Sequence, residues 1–163
     1  MTHGDFDHTG NAAHVRAAFG GKVAMHPDDA RMAEVGDMFA NRERSNLLLR
    51  VLVPRLIGFG KSEQFVPDVL LEDRSALSGY GLAAEVVWIP GHSKGSIGIL
   101  TDDGDLFCGD LFDNTKSPAL NSIIDERDTA LRSAAKLRTM NLKTVYPGHG
   151  KPFSMDQLPP GAA

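Results

Sequence analysis

Apolar positions along this chain fall first at helical and then at strand-like spacing. The alanine-rich segment 10–19 predicts a short helix, since it opens with an asparagine and is followed by a pair of glycines. A strand is predicted at 22–25. Pro27 and the two aspartates behind it predict a second helix that runs to about residue 39, because proline fits the first helical turn and acidic side chains favour the positive end of the helix dipole.

Short β-type runs dominate the second half of the chain. Glycine and proline separate these runs, which predicts strands at 69–71, 76–77, 84–89, 96–101 and 106–108, with a turn at 102–105 before the last of them. A helix at 125–139 and a strand at 143–146 complete the pattern. Segment 45–59 differs, because its apolar residues lie almost all the way round a helix, so another surface must cover it.

The composition is that of one globular domain over residues 1–163. Of these residues 42% are hydrophobic and 23% charged, which is enough for a sizeable core. No apolar run approaches the ~20 residues of a membrane span, and the polar N-terminus is unlike a signal peptide. A single cysteine, Cys108, excludes an intrachain disulfide and fits a reducing compartment. We therefore expect a cytoplasmic protein without a membrane partner.

The net charge limits the classes of molecule that we expect this protein to bind. With 17 basic and 21 acidic residues the net charge is −4, which argues against a dedicated nucleic-acid binder, because phosphate contacts require a basic face. We expect no nucleic-acid partner and a small-molecule substrate.

The N-terminal segment HGDFDH carries the first candidate chemistry. His3, Asp5, Asp7 and His8 are four ligand-type side chains within six residues, and a loop could point all of them into one pocket. Neutral imidazole and carboxylate oxygen are ligands that zinc, iron and manganese accept. The alternative is a solvated acidic N-terminus with incidental histidines.

Three further candidates follow predicted strands, where loops usually place functional groups. His92 lies in PGHSKGS, Asp110 in CGDLF and His149 in PGHG, and the neighbouring glycines permit close approach of the backbone to an ion. Singly, each has an ordinary explanation as a turn histidine, a helix-capping aspartate or an exposed loop histidine. Together with the first segment they predict a metal site at the strand ends.

The order of these residues resembles the signature of the metallo-β-lactamase fold superfamily, HxHxDH followed by a histidine, an aspartate and a histidine. The intervals 93–109 and 111–148, and the segments PGHSKGSIG and LFCGDLF, are similar to those of the glyoxalase II-like hydrolases in that superfamily. The resemblance covers nearly the whole chain. It implies an α/β fold, a stacked αββα sandwich with a dinuclear metal site at one edge of its two sheets.

The resemblance also implies a ligand set of seven residues. The first metal would be bound by His3, Asp5 and His92, the second by Asp7, His8 and His149, and Asp110 would bridge them. The family has a histidine where Asp5 stands, and a carboxylate there raises the share of iron or manganese relative to zinc. We expect two divalent metal ions, with zinc favoured over iron or manganese.

These expectations predict a metal-dependent hydrolase that uses a metal-bound hydroxide on a thioester, lactone or related ester-like bond. Asp7 and Asp110 are the expected catalytic residues, which orient the nucleophile and pass a proton to the leaving group. One alternative is an iron-dependent redox enzyme resembling persulfide dioxygenases or flavodiiron proteins. Another is a truncated, non-catalytic fold remnant or binding module.

Two departures from the family shape the expected architecture. Family members carry strands before the HxHxDH motif, so we expect an N-terminally truncated sandwich: either the chain is a fragment or mis-started gene product, or a homo-oligomer or a partner chain covers the missing part of the N-terminal sheet. Residues 40–65 are expected to form a helical, lid-like insertion within the single domain. Its arginines could hold an anionic group of the substrate by paired hydrogen bonds: Arg42, Arg44, Arg50 and Arg55. The alternative is a core or oligomer-contact helix.

Overall fold

The computed structural model describes residues 1–42 and 60–159. The helices are α1 (Phe6–Thr9), α2 (Ala12–Phe19), α3 (Pro27–Val35) and α4 (Arg127–Arg138). The strands are β1 (Ala24–Met25), β2 (Val69–Leu70), β3 (Ala84–Trp88), β4 (Ile97–Thr101), β5 (Asp105–Asn114), β6 (Ala119–Leu120) and β7 (Thr144–Gly150). Short 3-10 helices span Ser78–Tyr80 and Met155–Gln157.

The strands form two sheets. In the larger one, β3, β4, β5 and β6 pair antiparallel in that order, and β7 pairs parallel with β5. In the smaller one, β1 and β2 run parallel. The long strand β5 therefore has β7 along one edge, and β4 and then β6 along the other.

Three apolar clusters place the helices outside the sheets. One lies between the sheets and joins Ala84, Val86 and Ile97 to Ala24 and Val69 of the smaller sheet. A second joins the opposite face of the larger sheet to α4, and its members include Val87, Leu106, Val145, Ala134 and Leu137. The third packs α2 and α3 on β1 through Ala12, Ala33 and Met25. Because successive strand residues face opposite ways, Val86 and Val87 enter different clusters. This is the predicted αββα sandwich.

The first two residues run between the two sheets. The amino group of Met1 donates to the carbonyl of Ala24 at 2.7 Å, and the amide of Ile97 donates to the carbonyl of Thr2 at 2.9 Å. Beside them lies a groove of about 650 Å³ with a largely apolar lining, and the Phe19 side chain on its rim is 83% exposed. The covering of this side by another chain stays a prediction.

Most sequence-predicted elements are present with shifted ends. The helix expected at 10–19 begins at Ala12, and the helix expected to reach residue 39 ends at Val35, before Gly36 in the left-handed region at φ 66°. The strand expected at 76–77 is a single bridge between Ala76 and Glu85. The expected helix at 45–59, and with it most of the 40–65 insertion, lies outside the described residues.

Strands β5 and β7 are longer than predicted, and β6 and α1 were not predicted at all. The glycines and proline of CGDLF and PGHG suggested strand ends. Instead the two strands stay paired past them, with shifts in register between Phe107 and Gly109 and between Gly109 and Asp113. No helix in residues 1–42 and 60–159 is long and apolar enough to cross a membrane.

Leu137→Ala is expected to lower the free energy of unfolding by about 3 kcal/mol, because this fully buried side chain fills the cluster between α4 and the larger sheet. Leu82→Ala is the matched control, since Leu82 is 46% exposed and its truncation should change stability by less than about 0.5 kcal/mol. Urea unfolding measures both. Equal costs for the two variants would contradict this account of the core.

Candidate metal centre

The segment HGDFDH folds as an extended turn followed by one helical turn. The amides of His8 and Thr9 both donate to the carbonyl of Asp5 at 3.0 Å, and the Thr9 hydroxyl donates to the same oxygen at 2.9 Å. Helix α1 therefore begins after Asp5 and ends at Thr9. His3 and Asp5 enter from the extended side, whereas Asp7 and His8 lie on the helical turn.

The other three candidate residues come from two strands and a loop. His92 lies in the loop after β3, as predicted. Asp110 and His149 were expected just past their strands, and that placement is wrong: Asp110 lies inside β5 and His149 inside β7. The irregular pairing of these strands turns both side chains to the same place. Gly148 allows this approach, because a Cβ there would overlap Asp110 Oδ1.

Six of the seven predicted ligand residues form two compact sets. His3, His92 and Asp110 each offer a donor atom, and these three atoms all lie within 4.8 Å of one another, as do those of Asp7, His8 and His149. The first set is buried. In the second set the side chains of Asp7 and His149 are 38% and 47% exposed. One end of the site is therefore deep, and the other faces solvent.

Asp110 connects the two sets. Its Oδ1 lies 3.2 Å from His8 Nε2, and its Oδ2 lies 3.4 Å from His149 Nε2. The imidazole rings pack closely around it, with the His3 centroid 4.0 Å from that of His8 and 4.6 Å from that of His92. Asp110, whose donor atom groups with those of His3 and His92, thus contacts two histidines of the other set with its two oxygens, and a ligand shared by two metal ions would occupy such a position.

Several donor atoms of this cluster lack hydrogen-bond partners among the described residues, and their types suit a metal ion. His3 Nε2, His8 Nε2 and Asp110 Oδ1 are buried and make no hydrogen bond of acceptable geometry with the described part of the chain, although buried polar atoms in folded proteins are nearly always paired. His92 Nδ1 is 2.6 Å from the carbonyl of Ile123. Since a carbonyl only accepts, Nδ1 carries the hydrogen, and this is how ligating histidines are usually oriented.

Asp5 stands apart from both sets. Its Oδ1 accepts a hydrogen bond from Arg42 Nη2 at 2.7 Å. Its Oδ2 lies 3.1 Å from His92 Nε2 and 3.9 Å from His3 Nε2. Burial alone would raise the pKa of Asp5, but the hydrogen bond with His92 and the charge of Arg42 outweigh it and lower that pKa to about 2. Asp5 is therefore an ion-paired carboxylate with one oxygen directed at the buried histidines.

Arg42 was expected in the lid, free to hold a substrate anion, and the structure contradicts that. Its side chain is 3% exposed and pairs with Asp5 and, through Nε at 3.0 Å, with Asp125 Oδ2. A buried guanidinium held by two carboxylates of the protein is not a free cation in a lid. The other three arginines of that expectation, Arg44, Arg50 and Arg55, lie outside the described residues.

Asp29 is a second important residue that sequence reasoning missed. It was assigned only to the first turn of α3. Its fully buried carboxylate accepts hydrogen bonds from the amide of Gly4 at 3.0 Å, the amide of Gly95 at 2.8 Å and the hydroxyl of Ser93 at 2.6 Å. One side chain thereby ties the loop that carries His3 to the loop that carries His92. These partners are remote in sequence, so no local pattern indicates them.

Three histidines of the site have pKa values that are shifted in different directions. Burial, reinforced by His92, lowers the pKa of His3 to about 3, so this ring is neutral and ready to ligate. Burial also lowers the pKa values of His8 and His92, but the nearby carboxylates of Asp110 and Asp5 respectively prevail and raise both. Away from the site, His14 is exposed on α2, and His26 Nδ1 accepts from the amide of Asp28 at the start of α3. Both are structural or surface residues.

A family model described as the metallo-beta-lactamase superfamily matches residues 1–149. The chain belongs to the metallo-beta-lactamase superfamily. The family predicted from the HGDFDH segment and its downstream partners is thereby confirmed, and with it membership of a metal-binding superfamily. No curated protein sequence matches the chain significantly.

Solved structures of other superfamily members share the fold. TTHA1623, solved in a di-iron-bound form, has a TM-score of 0.72 at 24% identity, over 96% of this chain and 71% of that one. The BLEG-1 B3 metallo-beta-lactamase has a TM-score of 0.72 at 22% identity, over 96% and 70%. The archaeal protein ST1585 from Sulfolobus tokodaii has a TM-score of 0.71 at 21% identity, over 95% of this chain and 62% of that one. The superfamily fold therefore extends through almost all of this chain, which spans about two thirds of each relative.

Gly148→Ala is expected to weaken metal binding roughly tenfold to a hundredfold, because a Cβ at this position overlaps Asp110 Oδ1 and lies 2.6 Å from His8 Cε1. Gly79→Ala is the matched control, since a Cβ there meets nothing within 4 Å. Equilibrium dialysis against zinc measures both. Wild-type affinity in a folded Gly148→Ala protein would contradict the placement of Asp110 and His8.

Metal uptake is expected to weaken as the pH falls. His8 and His92 hold their protons more tightly than an ordinary imidazole, so below their raised pKa values each must lose a proton before it can ligate. His3, with a pKa of about 3, adds no such cost near neutral pH. Calorimetry at pH 6 and pH 8, in buffers of different ionisation enthalpy, should show more protons released at pH 6. Proton release that does not depend on pH would contradict this.

Proposed function

We propose that this protein is a metal-dependent hydrolase of a thioester, lactone or related ester-like bond. The observation that carries the proposal is the position of Asp110, which groups with His3 and His92 while its two oxygens lie 3.2 Å from His8 Nε2 and 3.4 Å from His149 Nε2 of the other set. Beside it, His3 Nε2 and His8 Nε2 are buried and make no hydrogen bond of acceptable geometry within residues 1–42 and 60–159. A cluster of this composition is costly to bury without a cation, and its nitrogen and oxygen donors are those that zinc, iron and manganese accept.

In this proposal two ions are held, with zinc favoured. His3 and His92 with Asp110 would hold one, and Asp7, His8 and His149 with Asp110 would hold the other. A bound divalent ion supplies a coordinated water of lowered pKa and a Lewis acid for a carbonyl oxygen. The substrate enters from the solvent side, where Asp7 and His149 are exposed, because His3 and His92 are covered.

The chain's own carboxylates then have distinct tasks. Asp110 is mostly buried, and its contacts with histidines from both sets lower its pKa against the effect of burial, so it stays ionised and fixes the positions of the groups around it. Asp7 is the solvent-side carboxylate, and its Oδ2 lies 3.1 Å from His149 Nε2. It is placed to orient the attacking water and to pass a proton to the leaving group.

A thioester or lactone is favoured over a β-lactam by sequence. The spacing from His92 to Asp110 and from Asp110 to His149 resembles the glyoxalase II-like hydrolases, as do the segments PGHSKGSIG and LFCGDLF. Cys108 gives no support to a nucleophilic thiol, because burial raises its pKa to about 12.

The second candidate function is an iron-dependent redox reaction. Asp5 supports it, because its Oδ2 is an oxygen donor beside His92 and His3, and added oxygen donors favour harder metals than zinc. The solved relative TTHA1623 was obtained in a di-iron-bound form. Protein purified without added metal and then analysed for its elements, together with an oxygen-uptake assay, separates the candidates. Iron with substrate-dependent oxygen uptake would favour the redox reaction over hydrolysis.

Asp110→Asn is expected to lower hydrolysis of a thioester and a lactone probe at least a hundredfold and to reduce the bound metal, because it removes the anion shared by both sets. Asp113→Asn is the matched control on the same strand, since the side chain of Asp113 bonds only to Thr115 among the contacts described. Turnover is measured with metal content determined on the same samples. Wild-type turnover by a metal-quantified Asp110→Asn protein would overturn the proposed mechanism.

A further inference from the structure

The carboxylate at position 5 comes with its own buried cation. Arg42 Nη2 lies 2.7 Å from Asp5 Oδ1, and the Arg42 side chain is 3% exposed. An ion pair buried this deeply would be strongly destabilised if either partner were removed alone, because the remaining charge would have no counterion in a region with little water. Positions 5 and 42 are therefore coupled.

Only one of the two Asp5 oxygens is occupied by Arg42. The other, Oδ2, lies 3.1 Å from His92 Nε2 and 3.9 Å from His3 Nε2. His3 Nε2 has no hydrogen-bond partner in the described part of the chain. Asp5 thus directs Oδ2 at the donor nitrogens of both buried histidines, where a third ligand of the first metal would stand.

The guanidinium is itself fixed in place. Arg42 Nε lies 3.0 Å from Asp125 Oδ2, its backbone amide donates to the carbonyl of Phe39, and its guanidinium carbon lies 5.9 Å from the centre of the Phe39 ring. The planar fork of arginine can span two carboxylates at once, which a lysine ammonium cannot do with the same geometry. Arg42 thus holds Asp5 against an anchor on the loop before α4.

Charge explains why such a pair is needed. A histidine at position 5, as in the superfamily signature, would bring a neutral donor, whereas an aspartate adds a negative charge to a site that already contains Asp7 and Asp110. The positive charge of Arg42 cancels that addition. Asp5 and Arg42 together carry the net charge of one neutral imidazole.

We propose that Asp5 and Arg42 act as one unit, in which Asp5 Oδ2 is the third protein ligand beside His3 and His92 and Arg42 is its positioning residue and counterion. This inference rests on the metal centre of the proposed function. It gives Arg42 a role in metal binding in place of the substrate-binding role expected from its sequence position.

If Asp5 and Arg42 act as one unit, changing either residue alone should weaken zinc binding, and changing both together should restore part of it. Arg42→Met should weaken zinc at the first site tenfold to a hundredfold, because Asp5 loses the contact that orients it. Asp5→His should also weaken it, because Arg42 is then a cation without its closest counterion beside a metal ion. The double variant Asp5→His with Arg42→Met should bind more tightly than either single variant, since a neutral ligand then needs no counterion.

Equilibrium dialysis against zinc, with free zinc buffered, measures the metal-to-protein ratio and the affinity of all four proteins. The absorption spectrum of the cobalt-loaded proteins reports the ligand set of the first site independently of activity. Arg16→Met is the matched control, because Arg16 pairs with Asp68 at 3.3 Å on the surface and its loss changes the net charge equally. It should leave zinc binding unchanged. If Arg42→Met does not fold, Arg42→Lys replaces it, with the same weakening expected.

Three outcomes overturn the inference. Wild-type zinc affinity in Arg42→Met, with only its melting temperature lowered, would make the pair merely structural. Tighter binding in Arg42→Met would show that the guanidinium opposes the metal. A double variant weaker than both single variants would show that the positions are not a unit. In contrast, a wild-type chain that binds no metal at all would overturn the proposed function itself.

Discussion

Three carboxylates and four imidazoles share one small volume where the loops and sheet edges of this protein meet, and the rest of the structure has to hold them there. Like charges about 4 Å apart repel by roughly 4 kcal/mol at the effective dielectric of a protein surface. Arg42 offsets one carboxylate through its 2.7 Å contact with Asp5. The carboxylates of Asp110 and Asp5 also raise the pKa values of His8 and His92 against the effect of burial. A bound cation is the complement that this charge distribution favours.

Contacts between segments that are distant in sequence hold these charged side chains together. Asp29 joins the backbone of Gly4 to that of Gly95, so the first ligand segment cannot move independently of the loop that carries His92. The parallel pair β5 and β7 carries Asp110 and His149, and the shifts in its register bring both side chains to the same edge. The apolar cluster under α4 supports these strands from the opposite face. Packing in the core therefore determines how accurately the polar cluster is assembled.

The sequence predicted the residues of the centre better than it predicted their surroundings. His3, Asp7, His8, His92, Asp110 and His149 could be picked out because ligand-type side chains recur beside glycines, and because their order follows a known signature. The extent of β5 and β7 could not be predicted, since the glycines at 109 and 148 signal strand ends, whereas here they permit close packing. The roles of Asp29 and Arg42 were missed because their partners lie 25 and 37 residues away along the chain. Arg42 in particular has the sequence position of a lid residue, whereas its carboxylate partners Asp5 and Asp125 lie far from it along the chain.

The most direct test of the account is anomalous X-ray diffraction from crystals of the protein grown with zinc. The account predicts two anomalous peaks per chain. One should lie among His3, His92 and Asp110 with Asp5 Oδ2 in its coordination shell, and the other among Asp7, His8 and His149, with Asp110 between them. The absence of both peaks from crystals grown at a saturating zinc concentration would contradict this account of the metal centre. A single ion bound away from Asp110 would contradict it as well.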